Sequence, residues 1–77
     1  MPLATWIETP ESTSIARFGY DDPSHTLLVE YKNERKYKYL DVPRDVFEQM
    51  ESAPSRGQFI NRNIKGTYTP VEVKSFG

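Results

Sequence analysis

Cysteine is absent from this chain of 77 residues, and His25 is its single histidine. Without cysteine the chain has no disulfide framework, no thiol nucleophile and no thiolate ligand for a metal. One histidine cannot build a zinc site by itself. We therefore predict that the protein binds no metal. The lack of cysteine also fits the reducing environment of the cytoplasm.

Residue patterns typical of enzyme active sites are also missing. The four glycines stand apart from one another, so the chain has no glycine-rich phosphate loop. Ser24 and His25 are adjacent but do not have the spacing of a known nucleophile and base. Asp21 and Asp22 precede Pro23, a position where acidic residues usually form turns. We predict a protein that is not an enzyme and needs no cofactor.

Long hydrophobic runs are lacking too. No apolar stretch approaches the roughly 20 residues that cross a bilayer. Residues 1–10 have neither the basic nor the apolar region of a signal peptide. A chain of this length holds one domain with a thin core. We expect a single cytoplasmic domain without membrane association.

The net charge of −1 conceals an uneven distribution. From Met1 to Glu34, six acids accompany two bases, a balance of −4. From Arg35 to Lys65, seven bases accompany four acids, a balance of +3, and residues 52–71 contain no acid. These cations either form a basic face or are scattered for solubility, and both interpretations stay open.

Three segments with period-two alternation predict β-strands: residues 14–20, 25–32 and 35–40. In the first, Ala16, Phe18 and Tyr20 share one side. A turn at residues 21–24 and a tight hairpin at Asn33-Glu34 connect the strands into an antiparallel meander. Residues 1–11 are expected to form an extended arm, on which Trp6 and Ile7 dock against the body.

Helical patterns follow the meander. Pro43 suits a helix start, and apolar residues then recur at helical spacing until Pro54 ends the helix. Ser55 and Gln58 form a capping box that opens a second helix, which Gly66 terminates. The sequence thus predicts an α+β fold. It consists of a three-stranded antiparallel meander, two short helices on one sheet face and a short extended C-terminal tail.

The order of several short motifs resembles the KTSC domain family. The family's pattern has a central Tyr-x-Tyr motif in a predicted strand and then a Val-Pro pair that opens a helix. An Ala-x-Ser-x-Gly motif and the residues after it complete the pattern. These motifs fall on Tyr37, Tyr39, Val42, Pro43, Ala53, Ser55, Gly57, Phe59, Asn61, Ile64 and Tyr68. The resemblance implies a KTSC-like domain at residues 12–68, between the arm at 1–11 and a tail at 69–77.

The family implied by this resemblance contains small bacterial proteins and the C-terminal ends of some lysyl-tRNA synthetases. It implies no catalytic activity, because the family's function is not established. The synthetase context suggests RNA, either tRNA or a single strand, as a partner. This suggestion is an analogy from domain context.

Two kinds of partner remain open from the sequence. For RNA, aromatic and basic residues would form the contact surface, because unpaired bases stack on aromatic rings beside cations. The candidate residues are Tyr37, Lys38, Tyr39, Arg56, Asn61, Arg62 and Lys65. The tyrosines equally fit packing beneath the helices. For a protein partner, the open sheet face or an unpaired edge strand would be used. The oligomeric state is not predicted.

Overall fold

A computed structural model describes residues 5–10 and 12–76 of the chain. Its strands are β1 (Thr5–Glu8), β2 (Ile15–Asp21), β3 (Thr26–Tyr31), β4 (Lys36–Tyr39) and β5 (Pro70–Val73). They form one antiparallel sheet in the order β1-β2-β3-β4-β5. The three predicted strands are β2, β3 and β4 at the centre of this sheet. β1 and β5 extend it on either side, from the predicted arm and tail.

Two α-helices connect β4 to β5: α1 (Arg44–Ser52) and α2 (Arg56–Phe59). A π-helix, Ile60–Ile64, continues α2 without a break. The predicted capping residue is confirmed, because the Ser55 side chain accepts a hydrogen bond from the Gln58 backbone N–H at 3.3 Å. The architecture is therefore α+β, as predicted, with five strands rather than three.

The core lies between the helices and one side of the sheet, which we call the inner face. Antiparallel register aligns Phe18 with Val29, and Tyr20 with Leu27 and then Tyr39. These five residues define the inner face and are all buried. The helical segment supplies the opposing apolar layer of the core, namely Val42, Phe47, Met50, Ile60 and Ile64.

A β-bulge changes the alternation predicted at the start of β2. The register shifts between Ile15 and Arg17, so that Ile15 pairs with Tyr31 and Arg17 with Glu30. Ile15 is consequently buried in the core beside Phe18, whereas Ala16 is only partly buried. A bulge adds one residue to a strand and reverses the side chains beyond it. This explains why simple alternation placed Ala16 on the core side.

The opposite side of the sheet, the outer face, carries Trp6, Gly19, Leu28, Lys38 and Val71 in one row across the strands. Leu28 is only 6% exposed, although the helices that the structure describes pack on the inner face. The Trp6 ring contacts Phe76 at 5.3 Å between centroids, and the Arg17 guanidinium stacks 4.4 Å from the Trp6 ring. The expected docking of Trp6 thus occurs on the outer face.

Within the described ranges, no helix is long and apolar enough to cross a membrane.

Candidate functional site: a tyrosine pocket

A cavity of about 490 Å³ opens between the β3–β4 hairpin and the turn that follows the π-helix. We call it the tyrosine pocket. Three tyrosines reach it because Tyr31 continues the inner-face alternation of β3, and Tyr37 and Tyr39 occupy inner-face positions two apart on β4. The full lining is Tyr31, Asn33, Arg35, Tyr37, Tyr39, Lys65, Gly66 and Pro70.

The three aromatic rings pack against one another and are not equally accessible. Tyr39 is 2% exposed, whereas Tyr31 and Tyr37 are partly buried. The rings of Tyr31 and Tyr37 meet edge to face, with centroids 5.7 Å apart and an interplanar angle of 84°. This arrangement is a favourable one for aromatic pairs. Tyr39 therefore serves the core, and Tyr31 and Tyr37 form the accessible aromatic wall.

Burial raises the pKa of two pocket tyrosines, Tyr31 and Tyr39, and makes their hydroxyls hard to ionise. Desolvation raises the pKa of Tyr31 far above its ordinary value of 10.0, and proximity to the Tyr39 hydroxyl adds to that rise. Burial also raises the pKa of Tyr39. The two phenols approach each other without reaching hydrogen-bond geometry, and the Tyr31 hydroxyl has no hydrogen-bond partner among the described residues. Tyr31 and Tyr39 therefore line the pocket as neutral side chains, and the Tyr31 hydroxyl is itself buried.

Two cations stand at the edge of the pocket. Lys65 Nζ lies 5.7 Å from the centre of the Tyr31 ring. Among residues 5–10 and 12–76, no acidic oxygen lies within 4.0 Å of it. Arg35 pairs loosely with Glu72 at 3.7 Å, and its interactions with the Tyr37 hydroxyl and with Glu72 raise its pKa. Lys65 is therefore the cation more available to a ligand.

The π-helix positions Lys65. Its wide turn closes with the Lys65 backbone N–H donating to the Ile60 carbonyl at 2.9 Å, five residues back. Ile60 and Ile64 are both buried on this turn, while residues 61–63 are exposed. Gly66 follows in the left-handed region, with φ of 85°. This conformation suits glycine, and it leads the chain back towards β5.

Two smaller depressions flank Pro54 and Ser55. The first, about 200 Å³, is lined by Ser12, Thr13, Ser14, Pro54, Ser55, Arg56 and Gly57. The second, about 240 Å³, we call the amide depression. It is lined by Ala53, Pro54, Ser55, Gln58, Phe59, Arg62 and Asn63.

The structure divides the residues predicted to contact RNA among several surfaces. Tyr37, Tyr39 and Lys65 come together at the tyrosine pocket. Arg56 lines the depression beside Ser12, where its guanidinium donates to the Glu51 carbonyl at 2.7 Å, and Arg62 lines the amide depression. The other two candidates lie elsewhere: Lys38 on the outer face and Asn61 on the exposed side of the π-helix.

Several other cations are paired with acids from the opening strands and turns. Glu30 binds Arg17 at 2.8 Å and Lys36 at 3.9 Å. Arg44 binds Asp22 at 2.6 Å. Of the seven bases counted from Arg35 to Lys65, two, Lys36 and Arg44, are thus paired with acids of the first half. The cations at the tyrosine pocket and the amide depression lie outside these pairs.

Five residues of the tyrosine pocket were not among the sequence candidates: Tyr31, Asn33, Arg35, Gly66 and Pro70. Tyr31 carried a usable signal, because strand alternation already placed it beside Leu27 and Val29. Pro70 gave none, since it belongs to the extended C-terminal segment, which comes next to β4 only in the folded sheet. No cluster of His, Cys, Asp or Glu suited to a metal ion occurs within the described part of the chain.

Comparison with known protein families matches residues 11–68 to the model of the KTSC domain. The chain also resembles the lysine–tRNA ligase of Nostoc punctiforme, with 39% identity over 59 residues, and that of Trichormus variabilis, with 36% identity over 59 residues. Each match covers 77% of this chain and 10% of the ligase. The chain therefore spans about a tenth of the length of these relatives.

Other similar proteins are small. A protein of Tsukamurella paurometabola is 33% identical over 61 residues, which cover 79% of this chain and 91% of that protein. The crystal structure of a KTSC domain protein from Yersinia pestis superimposes with a TM-score of 0.84 at 27% identity. That match covers 91% of this chain and 97% of the solved one. The matched sequence thus forms a small part of these ligases and nearly all of the Tsukamurella protein.

Proposed function

Because the chain belongs to the KTSC domain family, and because its tyrosine pocket combines aromatic walls with cations, we propose that it is a non-catalytic module that binds single-stranded RNA. The observation that carries the proposal is the placement of Lys65 and Arg35 beside Tyr31 and Tyr37. The cavity of about 490 Å³ lies within the usual range for a small-ligand site. It has room for one nucleotide of a strand.

The pocket matches the chemistry of a nucleotide. The exposed ammonium of Lys65 and the guanidinium of Arg35 suit a phosphate, and the accessible parts of Tyr31 and Tyr37 suit the apolar face of a base. The lysine–tRNA ligase relatives are consistent with an RNA partner.

Salt titration of RNA binding tests the proposal. We expect the affinity for a single-stranded oligonucleotide to fall as salt rises, and Lys65→Ala to reduce the slope of log affinity against log salt by about 0.7. Lys38→Ala is the matched control, since Lys38 lies on the outer face. Its slope should equal that of the wild-type chain. Absence of binding at low salt, or equal losses from both variants, would contradict the proposal.

A protein partner is the second candidate, and exposed apolar side chains favour it. Val71 on the edge strand β5 is 39% exposed, and Leu40, directly after β4, is 40% exposed. An extended peptide could add to β5 and cover Val71 by strand pairing. In that case Val71→Lys would abolish binding of the protein partner, and Lys65→Ala would leave it unchanged. Pull-down with both variants distinguishes this candidate from RNA binding.

A further inference from the structure

The amide depression has a chemical character different from that of the tyrosine pocket. Gln58, Arg62 and Asn63 surround an apolar floor formed by Ala53, Pro54 and Phe59. Ala53 and Phe59 are partly buried, so the floor belongs to the folded body. The depression therefore combines flat apolar surface with planar hydrogen-bonding groups.

The three polar side chains around this floor are not used by the fold. Gln58 contributes its backbone N–H to the Ser55 cap, but its side-chain amide makes no hydrogen bond to another described residue. The side chains of Arg62 and Asn63 likewise form no hydrogen bond or ion pair within residues 5–10 and 12–76. Their donors and acceptors are available to a ligand.

The helical geometry explains why these side chains meet. Arg62 and Asn63 lie on the π-helix, on the side opposite the buried Ile60 and Ile64. Gln58 precedes them on α2. Since the π-turn takes up an additional residue, two consecutive polar residues face the end of α1.

We infer that the amide depression is a second subsite, which binds the base of another nucleotide in the same RNA strand. This inference rests on the proposed function. Amide and guanidinium groups pair with the edges of bases, and an apolar floor accepts a base face. No acid lines the depression, so a polyanion is not repelled. At about 240 Å³ it is smaller than typical ligand sites, which suits one flat ring system rather than a whole nucleotide.

The amide depression lies on the helical segment that ends immediately before Lys65, a residue of the tyrosine pocket. Gln58 precedes Lys65 by seven residues, which corresponds to a separation on the order of 10 Å along a helix axis. One flexible strand can therefore place a phosphate at Lys65 and a base in the amide depression. The tyrosine pocket then contributes charge and the depression contributes base selectivity.

Binding of labelled oligo(A), oligo(C) and oligo(U) to the full chain, measured by fluorescence anisotropy, tests this inference. We expect the wild-type chain to prefer one base over another by about five- to tenfold. Gln58→Ala and Asn63→Ala should each reduce that preference to about twofold. Both substitutions remove neutral groups, so the salt slope should stay at its wild-type value.

Gln49→Ala is the matched control, because Gln49 is an exposed glutamine on α1 outside the depression. It should retain the wild-type preference, and circular dichroism should show every variant folded. If the wild-type chain binds RNA without base preference, or if the Gln58 and Asn63 variants keep that preference, the subsite is wrong and the proposed function stands. If the wild-type chain binds no RNA, the proposed function is wrong as well.

Discussion

At the scale of single residues, tyrosine hydroxyls differ in what they do for the fold. The Tyr20 hydroxyl donates to the Val42 carbonyl at 2.5 Å and ties the sheet to the segment before α1. The Tyr31 hydroxyl is shielded from solvent without a hydrogen bond to a described residue. A satisfied buried group stabilises a fold, whereas an unsatisfied one costs about 1–3 kcal/mol. The same residue type thus has opposite effects at these two positions.

We therefore predict opposite results for two identical substitutions. Tyr20→Phe leaves the Val42 carbonyl without its donor and should lower the free energy of unfolding by about 1–3 kcal/mol. Tyr31→Phe removes an unpaired hydroxyl and should leave stability unchanged or raise it. Urea denaturation measures both. Equal destabilisation by the two substitutions would show that the Tyr31 hydroxyl is satisfied in solution.

The buried phenols also predict how stability depends on alkaline pH. The pKa values of Tyr31 and Tyr39 are raised in the folded state. Above the unfolded value of about 10, the unfolded chain releases these protons while the folded state retains them. Stability is then fully present below about pH 10 and decreases as pH rises from there towards the raised folded-state pKa values, by at most about 1.4 kcal/mol per pH unit for each tyrosine that keeps its proton in the folded state.

Denaturation curves across that pH range check this prediction, with Tyr31→Phe as the comparison. The variant should lose stability less steeply than the wild-type chain as pH rises. Identical slopes would mean that the Tyr31 hydroxyl titrates normally in the folded protein.

At the scale of elements, the sequence predicted the strands and helix boundaries that depend on local residue patterns. Alternation located β2, β3 and β4, and Pro43, Pro54 and Ser55 located the helix boundaries. β1 and β5 lie in the segments interpreted as an extended arm and tail, and they become strands by pairing with β2 and β4 in the folded sheet. The π-helix was not predicted, because two buried isoleucines four residues apart also fit an α-helix.

Ser55 provides a test at this scale. Its side chain caps α2, the helical turn that leads into the π-helix and to Lys65. Ser55→Ala should lower the free energy of unfolding by about 1 kcal/mol, the usual effect of removing an N-cap. Ser52→Ala, at the exposed end of α1, is the control and should have a negligible effect. Thermal denaturation of both variants measures the effect. Similar losses of stability in the two variants would argue against a capping role for Ser55.

At the scale of the whole molecule, ion pairs between acids of the first half and bases of the second half reduce the charge imbalance counted in the sequence. Glu30 and Asp22 lie in the first half of the chain and pair with Arg17, Lys36 and Arg44. The charge imbalance between the two halves was visible in the sequence. Which cations remain outside these pairs was not visible in the sequence, because pairing depends on which strands become neighbours. For the same reason the sequence grouped Lys38 with Lys65, which the sheet places on different sides.

The most direct test of RNA binding at the tyrosine pocket is a chemical-shift titration of the isotope-labelled chain with a single-stranded RNA oligonucleotide. The account predicts the largest shifts at Tyr31, Tyr37, Lys65 and Gly66, with little change at Trp6 and Lys38. Shifts concentrated on the outer face, or no shifts at low salt, would contradict it.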